Sequence, residues 1–137
     1  MTTMRNMAIP ALILLAGILL WHCAAIRAGE ADPVPVRIDL QDGLAGQAVT
    51  VRFGDAATLN HSVSSAVPLK GPAGTMTTTL PPGTYDLSVE SAAGESLPAL
   101  RASETVTVRA DAPLYIGVRR TGEHLSVTIQ ETPFLYF

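Results

Sequence analysis

The chain of 137 residues has little cysteine, little charge and few aromatic side chains. A single cysteine excludes a disulfide within one chain. Charged residues make up 15% of the sequence, the formal net charge is −3, and the only cluster of basic residues is Arg119-Arg120. This distribution disfavours nucleic-acid binding, which requires a basic face. The composition is instead 47% hydrophobic, which excludes a disordered charged tail, and the length allows one ordinary domain.

Much of the hydrophobicity lies in residues 7–25, MAIPALILLAGILLWHCAA, which contain no Asp, Glu, Lys or Arg. Arg5 precedes this run and small residues follow it, which is the order of a secretory signal peptide with cleavage after Ala25, Ala28 or Ala31. A bilayer-spanning helix needs about 20 apolar residues, so a retained signal anchor stays open, as does a buried helix of a cytosolic protein. We therefore predict an N-terminal apolar helix within residues 1–31, as signal peptide or signal anchor.

The only cysteine, Cys23, lies at the end of the apolar run. Trp21 and His22 precede it where a lipoprotein signal would have a small residue, so we interpret Cys23 as a small apolar residue of the signal rather than a lipidation site. The predicted location is periplasmic or secreted. The alternative is a membrane-anchored protein whose β domain is extracytoplasmic and whose N-terminal helix contacts the membrane.

Residues 32–137 predict one β domain, because short segments with alternating apolar side chains are separated by Gly, Pro, Asp and Ser. About seven strands in about 100 residues, with no amphipathic helix, favour an all-β antiparallel sandwich or a small barrel, and we predict the sandwich. Residues 56–74 are the least regular part, and we expect one or two weak edge strands there. Alternation predicts strands around Val36, Val51, Val106, Ile116 and Val127, and the clearest strand is the one that contains Tyr85, Leu87 and Val89.

Residues 80–89, LPPGTYDLSV, are followed by residues 105–109 and by Tyr115-Ile116-Gly117-Val118. This series resembles the prealbumin-like and carboxypeptidase regulatory-like β-sandwiches, in which a turn with proline and glycine brings a tyrosine-containing strand into the core. The resemblance covers residues 80–129. It implies a sandwich fold and a non-catalytic accessory role, and it assigns no functional residues.

Residues that could perform chemistry are present, but none forms a recognisable constellation. His61 and His124 lack a ligand partner at metal-site spacing, so we expect loop histidines rather than a metal site with Glu123. No serine lies in a Gly-x-Ser-x-Gly motif. The carboxylates of Asp86, Glu90, Glu95 and Glu104 are expected on outward-facing strand or turn positions rather than as a catalytic pair. We therefore predict no enzymatic activity, no cofactor and no metal.

The last four residues are Phe134, Leu135, Tyr136 and Phe137, and they contain three of the seven aromatic residues. Terminal segments fray unless they are held by contacts. One interpretation is a final segment folded over the domain's own core. A second is a hydrophobic docking peptide for a partner or a membrane surface, and a third, a barrel-type outer-membrane signal, is disfavoured by Pro133. We select these four residues as the candidate partner-binding site.

Together these patterns predict a non-catalytic exported accessory or interaction subunit on the extracytoplasmic side of a membrane. Its expected partner is a protein, for example a subunit of a membrane complex, and not a nucleic acid. The alternative is a small-ligand or carbohydrate-binding β module. Such a module exposes aromatic rings on a sheet face, whereas the pattern predicts that Tyr85, Tyr115 and Phe53 all face inward.

Overall fold

The computed structural model of the protein describes residues 32–66, 70–92 and 98–137. The predicted signal within residues 1–31 lies outside the described residues. The described part is all-β and contains no helix, so no helix there is long and apolar enough to cross a membrane. Its eight strands are β1 (Val34–Leu40), β2 (Ala48–Phe53), β3 (Ala57–Ser62), β4 (Gly74–Leu80), β5 (Gly83–Ala92), β6 (Leu100–Val108), β7 (Leu114–Thr121) and β8 (His124–Gln130).

The strands form two four-stranded sheets that share one core. Sheet A has the order β4-β1-β7-β8, and sheet B has the order β3-β2-β5-β6. The strand edges come together at two corners, where β6 lies against β8 and β3 lies against β4. The predicted all-β fold of two packed sheets is therefore confirmed for the described residues.

The described residues form eight strands, close to the seven or so that the pattern predicts, and β3 is an edge strand of sheet B within residues 56–74, where we expect one or two weak edge strands. One detail of the predicted sandwich is wrong. The sheets are not wholly antiparallel, since β1 pairs in parallel with β7 and sets Ile38 opposite Ile116. A parallel pairing between strands that are distant in sequence leaves no local turn signal, so the sequence pattern cannot reveal it.

Alternation of side chains builds the core. In β1 the even-numbered residues are buried between the sheets, and the same period of two holds in β5 and β7. Burial of these apolar surfaces is the main stabilising contribution to the fold. The buried apolar residues are Val34, Val36, Ile38, Leu40, Leu44, Val49, Val51, Phe53, Val63, Met76, Leu80, Leu87, Val89, Val106, Val108, Leu114, Ile116 and Val118.

The other side of sheet A, which we call the outer face, carries the side chains that alternate with the core positions. From one edge to the other, β4 contributes three threonines, β1 contributes a proline and two charged residues, and β7 and β8 contribute both polar and apolar residues. The registers align these rows across the sheet. The outer-face residues are Thr75, Thr77, Thr79, Pro35, Arg37, Asp39, Tyr115, Gly117, Arg119, Ser126, Thr128 and Gln130.

A buried guanidinium fixes the turn between β1 and β2. Arg120, at the end of β7, is 6% exposed. Its Nη1 donates to Gln47 Oε1 at 3.1 Å and to the Pro98 carbonyl at 3.2 Å, and its Nε donates to the Gly122 carbonyl at 3.1 Å. The same turn is packed tightly against β7, because a Cβ at Gly43, which has φ +84°, would lie 2.1 Å from the Arg120 carbonyl oxygen. Arg120 therefore joins three separate chain segments.

We expect Arg120→Ala to lower the free energy of unfolding by about 2 kcal/mol, because the acceptors at Gln47 and Pro98 lose a charged donor. The matched control is Arg119→Ala. The Arg119 side chain is 53% exposed and its Nη2 lies 3.8 Å from Asp42 Oδ2, so its removal should change stability by less than about 0.5 kcal/mol. Urea unfolding of the full chain in mild detergent measures both variants. Equal losses would contradict the structural role of Arg120.

Candidate functional site

The residues after β8, 131–137, form a C-terminal tail that folds back over the outer face of sheet A. Its residues alternate between the sheet and the solvent: Phe134 and Tyr136 are half-buried, whereas Leu135 is 76% and Phe137 is 97% exposed. These two are the only large hydrophobic residues exposed to this degree in the described part of the chain. The four predicted site residues are thus divided into two that contact the sheet and two that face solvent.

Phe134 packs on a position of β7 that has no side chain. A Cβ placed on Gly117 would lie 2.8 Å from Phe134 Cζ and 2.8 Å from Gln41 Nε2, which is closer than real Cβ contacts come. Gly117 is itself buried although it belongs to the outer face. The absence of a side chain at Gly117 therefore creates the space that the Phe134 ring and the Gln41 amide occupy.

Tyr136 is held by a carboxylate in the middle of sheet A. Its hydroxyl donates to Asp39 Oδ2 at 2.7 Å and accepts from Gln41 Nε2 at 3.4 Å. Asp39 is 2% exposed, and its other oxygen, Oδ1, accepts from Arg37 Nε at 2.8 Å. Both oxygens of this buried carboxylate are therefore satisfied, one by the tail and one by its own strand, as a buried charge requires.

The environment changes two pKa values in this network. Burial raises the pKa of the Tyr136 phenol above its usual range, and the hydrogen bond to Asp39 acts in the same direction, while that from Gln41 opposes it. The hydrogen bond to Asp39, with the charge of that carboxylate, raises the pKa of Arg37. Tyr136 therefore remains a neutral donor, and Arg37 a cation, across the physiological range.

The base of the tail is attached to the loop before β7. Arg109 Nη1 lies 3.1 Å from Glu131 Oε1, and Arg109 Nη2 lies 3.1 Å from Asp111 Oδ2. The charges of Asp111 and Glu131 raise the pKa of Arg109. These groups are solvent-exposed, so their pairing adds little stability.

The tail covers only part of the outer face. Beside it lies an open groove of about 500 Å³, whose lining includes Pro35, Arg37, Thr77, Thr79 and Tyr115. The expectation for Tyr115 is wrong, although the alternation of β7 is consistent with its true orientation. Tyr115 belongs to the outer face, since Leu114 and Ile116 on either side of it face the core, and the expectation that it faces inward is corrected.

The other two aromatic residues considered for a binding module, Phe53 and Tyr85, face the core as expected. Phe53 is fully buried, and Tyr85 packs against the core while its hydroxyl donates to the Pro81 carbonyl. Among the described residues, therefore, Tyr115 is the strand tyrosine that is directed away from the core.

The candidate catalytic and metal-binding residues are dispersed. His61 lies on β3 against Gly74, whereas His124 is exposed on β8 of the other sheet. Glu90 pairs with Arg101 at 3.1 Å, and Asp86 and Glu104 are exposed. Glu95 lies outside the described residues. The part of the chain that the structure describes contains no group of three His, Cys, Asp or Glu side chains able to hold a metal ion.

Comparisons with protein-family models, with curated proteins and with solved structures give no match to this chain. The resemblance to prealbumin-like and carboxypeptidase regulatory-like sandwiches therefore stays a prediction.

We expect Tyr136→Phe to lower the free energy of unfolding by about 2 kcal/mol, because Asp39 Oδ2 remains buried and loses its donor. Phe137→Ser is the matched control: its side chain is 97% exposed, so stability should change by less than about 0.5 kcal/mol. Urea unfolding of the full chain measures the difference. If Phe137→Ser is the more destabilising change, the assignment of Tyr136 as the anchor is wrong.

Alkaline pH should break the hydrogen bond from Tyr136 to Asp39. Because the pKa of Tyr136 is higher in the folded chain than in the unfolded chain, its neutral phenol stabilises the folded state. This stabilisation is complete below the ordinary tyrosine pKa of about 10 and is lost as the pH rises through the pKa of the folded state. Ultraviolet titration of tyrosinate in the wild type minus that in Tyr136→Phe isolates this phenol. A midpoint at or below about 10 would contradict the predicted direction.

Proposed function

We propose that the protein is a non-catalytic exported accessory or interaction subunit that binds a protein partner on the extracytoplasmic side of a membrane through Leu135 and Phe137. The observation that carries the proposal is the alternation of the tail. Phe134 and Tyr136 attach it to the sheet, while the side chains between and after them project 76% and 97% exposed into solvent. Export is inferred from the apolar run of residues 7–25.

Exposed apolar side chains next to one another are typical of interaction sites. Leu135 and Phe137 are two residues apart in an extended segment, which sets them about 7 Å apart on the same side. A partner with two neighbouring apolar pockets, or one elongated pocket, would remove both from water. Burial of a leucine and a phenylalanine contributes about 1.5–3 kcal/mol each.

The attachment of the tail also favours binding because it lowers the entropy cost. A free peptide loses backbone and side-chain freedom when it binds. Here the contact of Phe134 with Gly117 and the hydrogen bond from Tyr136 to Asp39 already restrict the backbone on both sides of Leu135. The sheet therefore presents Leu135 in a restricted conformation before the partner arrives.

Site-specific crosslinking in the native cells tests the proposal. A photoreactive phenylalanine analogue replaces Phe137 in one variant and Thr107, an exposed residue of β6 on the other sheet, in a second. We expect a discrete protein adduct from position 137 that is absent from position 107. Equal labelling from both positions would contradict a specific docking site.

The partner identified in this way is then titrated against the purified full chain. The double variant Leu135→Ser/Phe137→Ser should bind at least about tenfold more weakly, which corresponds to about 1.4 kcal/mol. Glu131→Gln is the control, since it changes the base of the tail and leaves both apolar side chains in place, and its affinity should stay within about twofold. An unchanged affinity of the double variant would overturn the proposal.

A further inference from the structure

The groove beside the tail combines features of a small-ligand site. Its volume of about 500 Å³ falls within the usual range of about 300–1,000 Å³ for such sites. Its floor is the outer face of sheet A, where β1 hydrogen-bonds to β4 on one side and to β7 on the other. The groove is therefore formed on paired strands rather than on loops, and its shape exists before a ligand binds.

Tyr115 supplies an aromatic surface on one side of the groove. Its side chain is half-buried, and Pro35 and Pro113 line the groove near it. Aromatic rings bind flat ligands that have an apolar face, and prolines add rigid apolar surface. This side of the groove therefore fits a ring that carries C–H groups on one face.

The other side supplies fixed hydrogen-bonding groups. Thr77 and Thr79 are exposed on the same face of β4, about 7 Å apart because they alternate along a strand. Arg37, on the central strand β1, is in register with Thr77 on β4 and with Tyr115 on β7, and its Nε is fixed by the 2.8 Å bond to Asp39. Each threonine hydroxyl donates and accepts, and the Nη groups of Arg37 donate, so the groups are suited to ligand hydroxyls.

We propose that this groove binds a neutral pyranose ring of an oligosaccharide, stacked on Tyr115 and hydrogen-bonded to Arg37, Thr77 and Thr79. A pyranose has one face rich in C–H groups and a rim of hydroxyls, which matches the two sides of the groove. This site is separate from Leu135 and Phe137, so it does not depend on the proposed protein partner.

Charge selects the neutral sugar over an acidic one. Among the described residues, Arg37 is the only cation that lines the groove, and the buried carboxylate of Asp39 neutralises it at 2.8 Å. A uronate or a phosphate would bring a second negative charge toward this pair, whose net charge is already zero. A purely apolar ligand is disfavoured as well, since it would cover the threonine hydroxyls and the guanidinium without replacing their water contacts.

Titration of the purified full chain tests the proposal. The probes are neutral hexasaccharides of glucose, mannose, galactose and N-acetylglucosamine, and oligogalacturonate and a proline decapeptide serve as the comparison ligands. Binding is followed by the NMR signals of Thr77, Thr79 and Tyr115. We expect saturable shifts at these residues with at least one neutral probe. Tyr115→Ala should weaken that binding about tenfold or more, and Thr77→Val, which keeps the shape and loses the hydroxyl, should weaken it measurably.

Two controls locate the effect. Thr105→Val makes the same change on β6 of the other sheet and should leave the affinity unchanged. Leu135→Ser/Phe137→Ser should also leave it unchanged, so that failure of the saccharide site and failure of the protein-docking site give different results. The proposal is overturned if no neutral probe binds, if Tyr115→Ala and Thr77→Val bind like the wild type, or if only oligogalacturonate or a proline decapeptide binds.

Discussion

The buried carboxylate of Asp39 is the constraint on which the organisation of the outer face depends. It occupies a position of β1 that would ordinarily face water, yet it is 2% exposed. A buried charge is tolerated only when each oxygen finds a partner. Arg37 satisfies one oxygen from the same strand, and Tyr136, almost one hundred positions later in the chain, satisfies the other. The tail covers Asp39 and at the same time supplies the donor that this coverage requires.

This arrangement explains why part of the tail packs on the sheet and part of it is exposed to solvent. An extended segment directs successive side chains to opposite sides. Once Tyr136 is fixed on Asp39 and Phe134 on Gly117, the residues between and after them, Leu135 and Phe137, are directed to solvent. The two interpretations of the aromatic terminus, folding over the domain and projection for docking, therefore describe alternate residues of the same segment.

Local periodicity predicts the elements of this fold well and their assembly poorly. The alternation of Val34, Val36 and Ile38 correctly predicts β1 and its inward face, because burial on one side leaves a period of two in the sequence. The parallel pairing of β1 with β7 leaves no such trace. The alternation in β7 is also sufficient to direct Tyr115 outward, because the residues on either side of it face the core. The burial of Asp39 and Arg120 cannot be predicted in this way, since it depends on partners that are distant in sequence.

The two parts of the outer face are joined chemically by Asp39. Arg37 lines the open groove and Tyr136 belongs to the tail, and each donates to a different oxygen of the same carboxylate. If Tyr136 left its place, Asp39 Oδ2 would lose its donor and water would enter beside the ion pair of Arg37 and Asp39. Water raises the local dielectric constant and so weakens that ion pair. The guanidinium in the groove is therefore held in position partly by the tail. In the same way, the hydrogen bond from Arg37 to Oδ1 helps to fix the orientation of the carboxylate whose Oδ2 accepts from Tyr136.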